Sequence, residues 1–248
     1  MQNLKISLIT VSFNAQNTIE RCIQSVLGQK FNNIEYIIVD GASTDNTIRI
    51  IDKYRDKITF YVSEPDKGIY DAMNKGMALA TGDVIGTLNA DDYLADDEIL
   101  SDVASAFATQ ETNIVYGDLD YVDLNSKIIR KWRSGEYKSG KFNFGWMPPH
   151  PTFYCRRQLF EQLGNYSQDY GSAADYELML RFIHLNKTHV HYLNKVMVKM
   201  IIGGVSNKSI YNRVKALRFD LKAMRNNDIL IPVLTLLFKP LRKVMQFF

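Results

Sequence analysis

The first half of the chain alternates strictly between short apolar runs and longer amphipathic ones. Runs 6–11, 34–39, 59–62 and 84–88 are rich in Ile, Val and Leu and read as strands; 19–27, 47–54, 69–79 and 99–107 carry apolar residues at helical spacing. Strands and helices in alternation predict a parallel sheet wrapped by helices, a doubly wound α/β fold. Near-continuous apolar strands are those buried on both faces, and such sheets bind ligands beyond the carboxyl ends of their strands.

Those ends therefore carry the chemistry. The first run closes in Thr10-Val11-Ser12-Phe13-Asn14, whose small polar side chains suit contact with a base or phosphate. The second closes in Asp40-Gly41-Ala42-Ser43-Thr44-Asp45, where Gly41 permits a tight turn and Asp40 is placed to accept hydrogen bonds from a base. The fourth, Val84-Ile85-Gly86-Thr87-Leu88, runs into Asn89-Ala90-Asp91-Asp92. Two acids there suit a divalent cation and a phosphorylated substrate; the competing role is helix capping. Asp96, Asp97 and Glu98, just ahead of Ile99, serve that role better. No G-x-G-x-x-G follows the first strand and no G-x-x-x-x-G-K-[ST] occurs, which argues against a dinucleotide-dependent dehydrogenase and a P-loop NTPase.

The rhythm changes after Tyr116. Runs 118–122 and 127–132 flank the polar turn Asp123-Leu124-Asn125-Ser126 and predict a hairpin. Then come Pro148, Pro149 and Pro151, a helix over 156–163 stopped by Gly164, a helix over 176–184, and two short strands, 188–193 and 196–202. This half reads as an α+β extension on the same sheet. The 248 residues suit one domain, and Cys22 and Cys155 predict two small buried residues rather than a disulfide framework. Residues 1–5 lack the basic start and apolar stretch of a secretory signal. The run 229–238 falls short of the roughly 20 residues of a spanning helix and contains Pro232, so the chain is expected not to cross a membrane.

Taken in order, Thr10–Asn14, Val39-Asp40-Gly41-Ala42-Ser43-Thr44-Asp45-Asn46-Thr47, Lys67-Gly68-Ile69-Tyr70-Asp71-Ala72-Met73-Asn74-Lys75-Gly76, Asn89–Asp92 and Ala174-Asp175-Tyr176-Glu177 resemble the inverting family 2 glycosyltransferases of the GT-A (Rossmann-like) fold. The resemblance spans residues 4–206. It implies a nucleotide-sugar-binding domain over 1–205, with a donor half (1–118) and an acceptor half (119–205), and a separate tail over 206–248. It implies that Asp40 contacts the base, usually uracil, with Thr10, Ser12 and Asn14 around the nucleotide. Asp71 and Lys75 would lie near it; alternatively they form a surface i, i+4 ion pair. Asp91 would ligate Mg²⁺ or Mn²⁺ on the diphosphate, with Asp92 in support. Asn89 stands where the family usually has Asp; it can bond a ribose hydroxyl but adds no charge. Asp175 matches the general base, its other reading being the N-cap of the following helix, and Ala174 stands where an acid is frequent. His150, among prolines, is either structural or a ligand of the diphosphate or metal. Trp132, Arg133 and Trp146 would line the acceptor site, or pack.

His150-Pro151-Thr152-Phe153, Asp175-Tyr176-Glu177-Leu178-Met179-Leu180-Arg181 and Gly203-Gly204-Val205-Ser206 look like enzymes of bacterial surface-polysaccharide assembly, of the O-antigen or colanic-acid type. Their acceptors are saccharides on a polyprenyl diphosphate in the cytoplasmic leaflet, which implies a cytoplasmic protein peripheral to the inner membrane. Net charge is only +3, but the segment from Ser206 to Phe248 holds Lys208, Arg213, Lys215, Arg218, Lys222, Arg225, Lys239, Arg242 and Lys243 against Asp220 and Asp228. Ile210, Val214, Leu217, Leu221 and Met224 fall at helical spacing between them. Such a tail suits an amphipathic helix on an anionic membrane, or one packed on the domain with a solvated basic face. No nucleic-acid-binding motif accompanies the charge. The rival functions are a nucleotidyltransferase and a non-catalytic sugar-nucleotide-binding or membrane-associated assembly protein.

Overall fold

A computed structural model describes residues 4–108, 111–202, 210–244 and 246. Strands β1 (Ile6–Ser12), β2 (Ile34–Asp40), β3 (Phe60–Ser63) and β4 (Val84–Asn89) are parallel and lie in the order β3-β2-β1-β4. Because successive strand residues face opposite sides, each strand feeds two cores. Ile6, Leu8, Tyr36 and Ile38 join Ile19, Cys22, Ile23 and Val26 of α1 (Ile19–Leu27) and Ile99, Leu100 and Val103 of α4 (Ile99–Ala106). Ile9, Val11, Ile37 and Val39 face the other way, toward Ala72, Met73 and Met77 of α3 (Ile69–Leu79). At Gly76 a Cβ would stand 2.4 Å from Ile9 Cγ2, so the glycine lets α3 lie close on β1. A short α2 (Thr47–Asp52) completes the first half.

The second half extends the same sheet. Strand β8 (Tyr154–Arg156) runs antiparallel to both β4 and β6 (Ile114–Val122), and β6 pairs parallel with β9 (Val190–Ile201) and antiparallel with β7 (Ile128–Trp132). Leaving β4, the chain crosses only Ala90 and Asp91 before β5 (Asp92–Leu94), yet β5 pairs with β9, with β8, β6 and β9 between it and β4 in the hydrogen-bonded order. The sheet therefore curls back on itself, and Asp91 sits at the crease.

Several elements differ from the sequence expectation. The two strands over 188–193 and 196–202 form one strand, β9, whose register on β6 slips around Asp118, accommodating Asn194 and Lys195 without a break. Strand β5 has three residues, too few for periodicity to reveal. The helix over 176–184 is α6 (Ala174–Met179) continued by a π-helical turn, Leu180–Leu185. Strand β6 runs through the division placed between 118 and 119, so both halves share one sheet. The boundary at 205/206 and the Gly203-Gly204-Val205-Ser206 motif lie outside the described residues. The hairpin and α5 (Arg157–Leu163) form as expected, α5 ending at Gly164 with φ 87°. Both cysteines are buried and free.

The tail folds into α7 (Ile210–Asn226) and α8 (Pro232–Val244). Helix α7 packs on the domain: Ala223 and Met224 are fully buried beside Phe142 and Tyr176, and Phe219 lies so near Gly171 that a Cβ there would be 2.4 Å from its ring. The helix thus packs on the domain and leaves Lys215, Arg218, Lys222 and Arg225 exposed. No described helix is long and apolar enough to cross a membrane.

Candidate active site

On the donor side, the loops after β1 and β2 are laced together by side chains. Asp40 is fully buried and accepts from Ser12 Oγ (2.8 Å), Ser43 N (2.8 Å), Ser43 Oγ (2.6 Å) and Ser63 Oγ (2.9 Å). Asn14 N donates to Ser43 Oγ (2.8 Å), and Asn14 Oδ1 accepts from Thr44 N (2.9 Å). Asn14 (φ 48°) and Ala42 (φ 60°) both hold left-handed conformations, a local strain characteristic of ligand-binding loops. Between them Phe13 is 64% exposed, an aromatic face left to solvent beside Gly41. Asp71 accepts from Lys67 N (3.1 Å) and Gln168 Nε2 (2.8 Å). Lys75 binds Glu64 at 2.7 Å, stands 3.8 Å from Asp71, and donates to the Pro65 carbonyl. The i, i+4 pair thus exists, inside a network that braces the 64–68 loop against Gly41.

Two of the assigned donor residues do not reach this surface. Thr10 is fully buried, its hydroxyl 3.1 Å from Tyr36 Oη and 3.7 Å from Cys22 Sγ; the strand alternation that points Ser12 at Asp40 also turns Thr10 into the α1 core. Asp92 is 1% exposed, and burial, then the charge of Asp91, raises its carboxyl well above the usual range. It stands behind Asp91, buried and held by Asn89 Nδ2 at 3.0 Å, the less open of the two carboxyls. As folded, Asp40 has no exposed oxygen, so its contact with a base requires this network to open.

Asp91 is half-buried, and its carboxyl is raised by burial. Nearby, Asn89 Oδ1 and Asp92 Oδ1 are buried acceptors with no donor. Among the described residues no three His, Cys, Asp or Glu side chains converge, so no protein-only metal cage exists. Magnesium-type ions need no such cage: they bind through one or two carboxylates, waters and substrate phosphates. A crease with one accessible carboxylate and orphaned oxygens fits an ion delivered with a diphosphate.

On the acceptor side, a cleft of about 1180 Å³ lies between β6–β7, the 144–147 segment, the start of α6 and the two tail helices. Asp175, Trp132, Arg133 and Trp146 line it. Asp175 is not the N-cap of α6, a position held by Ala173; it sits in the first turn, its Oδ1 accepting from Tyr176 N at 2.8 Å. The cleft's other carboxylate, Asp220, is bound to Lys239 at 2.9 Å. Behind Asp175 lies a cluster absent from the sequence reading. His150 Nε2 meets Tyr166 Oη at 2.7 Å, and the Tyr166 and Tyr70 rings stand 5.6 Å apart. Burial lowers His150 while Asp175 pulls it back up; burial and then Asp175 raise Tyr70. His150 is thus buried and hydrogen-bonded, within reach of the charge of Asp175, and it joins no metal-binding cluster with Asp91 among the described residues. Trp146 is 4% exposed and donates to the Ser134 carbonyl, while Trp132 stacks on Tyr121, so both tryptophans pack and line the cleft at once. Arg133 is held by Asp120 (2.7 Å) and Asp118 (3.7 Å). An aromatic in the helical motif 67–76 was the available signal for Tyr70; Tyr166 had none, because its partners lie far away in sequence.

Loops gathered at the carboxyl ends of a parallel sheet, an acid at its crease and a carboxylate in a separate cleft define a GT-A-like transferase architecture. Residues 7–172 match the family model for glycosyl transferase family 2. The chain is 31% identical over 206 residues to a PGL/p-HBAD biosynthesis glycosyltransferase of Mycobacterium bovis, covering 81% of this chain and 78% of that one. Among solved structures it resembles S. aureus TarS 1–349 in complex with UDP-GlcNAc (TM-score 0.71, 20% identity, 95% of this chain and 70% of that one). It also resembles the mannosyltransferase PcManGT of Pyrobaculum calidifontis with GDP-Man and Mn²⁺ (TM-score 0.68, 18% identity, 96% and 72%). The chain belongs to glycosyl transferase family 2, and is a glycosyltransferase.

Proposed function

We propose that this protein transfers a sugar, with inversion, from a UDP-linked donor to a saccharide carried on a polyprenyl diphosphate, in the assembly of a bacterial surface polysaccharide of the O-antigen type. It works from the cytoplasmic face of the inner membrane, on an anionic surface. The observation that carries the reading is Asp175: a carboxylate in a cleft lined by aromatic rings, with no cation bound to it among the described residues, while Asp220 is neutralised by Lys239. Asp175 takes the proton of the acceptor hydroxyl, whose oxygen bonds to the anomeric carbon as the bond to the diphosphate breaks on the opposite face. His150, Tyr166 and Tyr70 position that carboxylate. The donor nucleotide lies against Phe13, Asn14 and the 40–45 loop, with Asn89 near its ribose. Asp91 would hold Mg²⁺ or Mn²⁺, which when bound offsets charge on the departing nucleoside diphosphate. The UDP-GlcNAc complex of TarS and the GDP-Man complex of PcManGT, proteins of similar fold, support a nucleotide-sugar donor.

The test is a thermal-shift series with UDP, GDP and dTDP, each with and without Mn²⁺, on wild type and Asp91→Ala. UDP should stabilise the wild type most, the gain requiring Mn²⁺ and vanishing in the variant. A variant that responds like wild type would overturn the metal site, and an unresponsive wild type the donor site.

A further inference from the structure

Helix α8 has two faces of opposite character. Its inner face buries Thr235, whose hydroxyl donates to the Asn143 carbonyl at 2.7 Å, and lines the cleft with Leu236, Lys239, Pro240 and Arg242. Its outer face presents Val233 (60% exposed), Leu234 (43%), Leu237 (60%) and Leu241 (60%), preceded by Leu230 (81%) and Ile231 (58%). These residues recur every three or four positions and form one continuous apolar stripe along the helix. A stripe this long, facing water, marks a surface that something covers. Charge identifies the cover. On α7, which packs against α8, Lys215, Arg218, Lys222 and Arg225 are exposed and spaced three and four apart, as an anionic surface requires.

The cleft behind α8 is basic as well, and two of the four cations that line it are already paired. Lys239 is held by Asp220 and stands 3.6 Å over the Tyr176 ring, and Arg133 is held by Asp118 and Asp120. Arg242 has no carboxylate partner among the described residues. Lys131, the other cation that lines the cleft, has none among the described residues either.

Building on the lipid-linked acceptor proposed above, we infer that α8 is a wall between bilayer and acceptor cleft. Its outer stripe lies among anionic lipids, and Arg242 on its cleft side receives the diphosphate of an isoprenoid-carried acceptor whose sugar extends to Asp175. An acceptor presented from the bilayer thus enters along the helix that anchors the enzyme.

Two measurements test this. In the first, wild type and Val233→Glu/Leu237→Glu are sedimented with phosphatidylcholine vesicles containing about 30% phosphatidylglycerol. Wild type should pellet and the double variant should bind at least about tenfold more weakly, with unchanged melting and an unchanged response to UDP and Mn²⁺. A wild type left in the supernatant, or a variant that pellets equally, would overturn the membrane wall. In the second, geranyl diphosphate is titrated with UDP saturating, reading the fluorescence of Trp132 and Trp146, the chain's two tryptophans, both of which line the cleft. A saturable change, weakened about tenfold by Arg242→Glu, supports the diphosphate site. No saturable change in wild type, or equal binding by the variant, overturns it. The UDP response is scored separately, so its loss beside intact vesicle binding counts against the transferase reading and not against α8.

Discussion

The sides of this molecule proposed to hold the donor and the acceptor are built by opposite means. The donor side is a lattice of short polar side chains: Asp40, Ser12, Ser43, Ser63 and Asn14 satisfy one another within loops that directly follow β1, β2 and β3. The acceptor side is a cleft of rings and long cations drawn from β6, β7, α6, α7 and α8. A nucleotide is much the same ligand in many enzymes, and a rigid, locally encoded cradle suits it. An acceptor saccharide differs from one enzyme to another, and a cleft assembled from distant elements can change one wall without disturbing the rest.

The largest expected effect separates the two sides at the base. Asp175→Asn should lower the transfer rate by about 10²–10⁴ while leaving the UDP-induced melting shift intact; a variant that lost nucleotide stabilisation would show that the sides are coupled. Next, Asp40→Ala should cost about 4 kcal/mol in urea denaturation and abolish the UDP response, because it leaves several buried donors unsatisfied. Retention of that response would make the lattice dispensable for binding.

A third network, at the amino ends of the same strands, provides the comparison without a ligand. Glu35, 2% exposed, accepts from Lys5 Nζ, Ser7 Oγ, Thr81 N and Thr81 Oγ1. Burial alone would raise its pKa, but these donors hold it down to about 2. Its depressed value means that its stabilisation is fully present above the unfolded pKa of about 4.3 and is lost as pH falls toward 2, a change of up to about 2–3 kcal/mol. Urea midpoints between pH 5 and 2.5 should fall less steeply in Glu35→Gln, and UDP binding at neutral pH should survive in the folded variant. The smallest effect is expected at Asp92. Since its side chain is buried behind Asp91, Asp92→Asn should cost less than about 1 kcal/mol and keep the Mn²⁺-dependent UDP shift that Asp91→Asn loses. A loss of that shift in Asp92→Asn would restore Asp92 as a ligand.

The loops proposed to hold the donor were legible in the sequence because their residues follow apolar strands at short, fixed distances. Asp40, Ser12, Asn14 and Asp91 all lie within a few positions of a strand end, where ligands of parallel sheets bind. Thr10 shares its face of β1 with Ser12 but lies two residues further from the strand end, beneath α1, where Tyr36 and Cys22 enclose it. Asp92 is buried because β5 turns it inward after two residues, a step that no periodicity announces. His150 and Asp175 were found as single residues, but their connection through Tyr166 and Tyr70 depends on contacts between segments some 80 to 100 positions apart, as between Tyr70 and Ser172 at 3.5 Å. Helix α7 shows the same limit: its amphipathic pattern suited a membrane or a protein partner equally, and the close fit of Phe219 on Gly171 made it a packed helix.

The sequence by itself determined the parallel half of the sheet, the helices that cover it and the loops that carry the donor-side acids, because apolar period and turn chemistry are local properties of the chain. Tertiary structure alone decided the rest. It curled the sheet so that Asp91 lies at a crease and joined β9 into one strand. It also set α7 and α8 against the acceptor cleft, leaving the apolar stripe of α8 outward. Each of these outcomes depends on which surfaces meet, and that is settled by the burial and pairing of groups far apart in the chain.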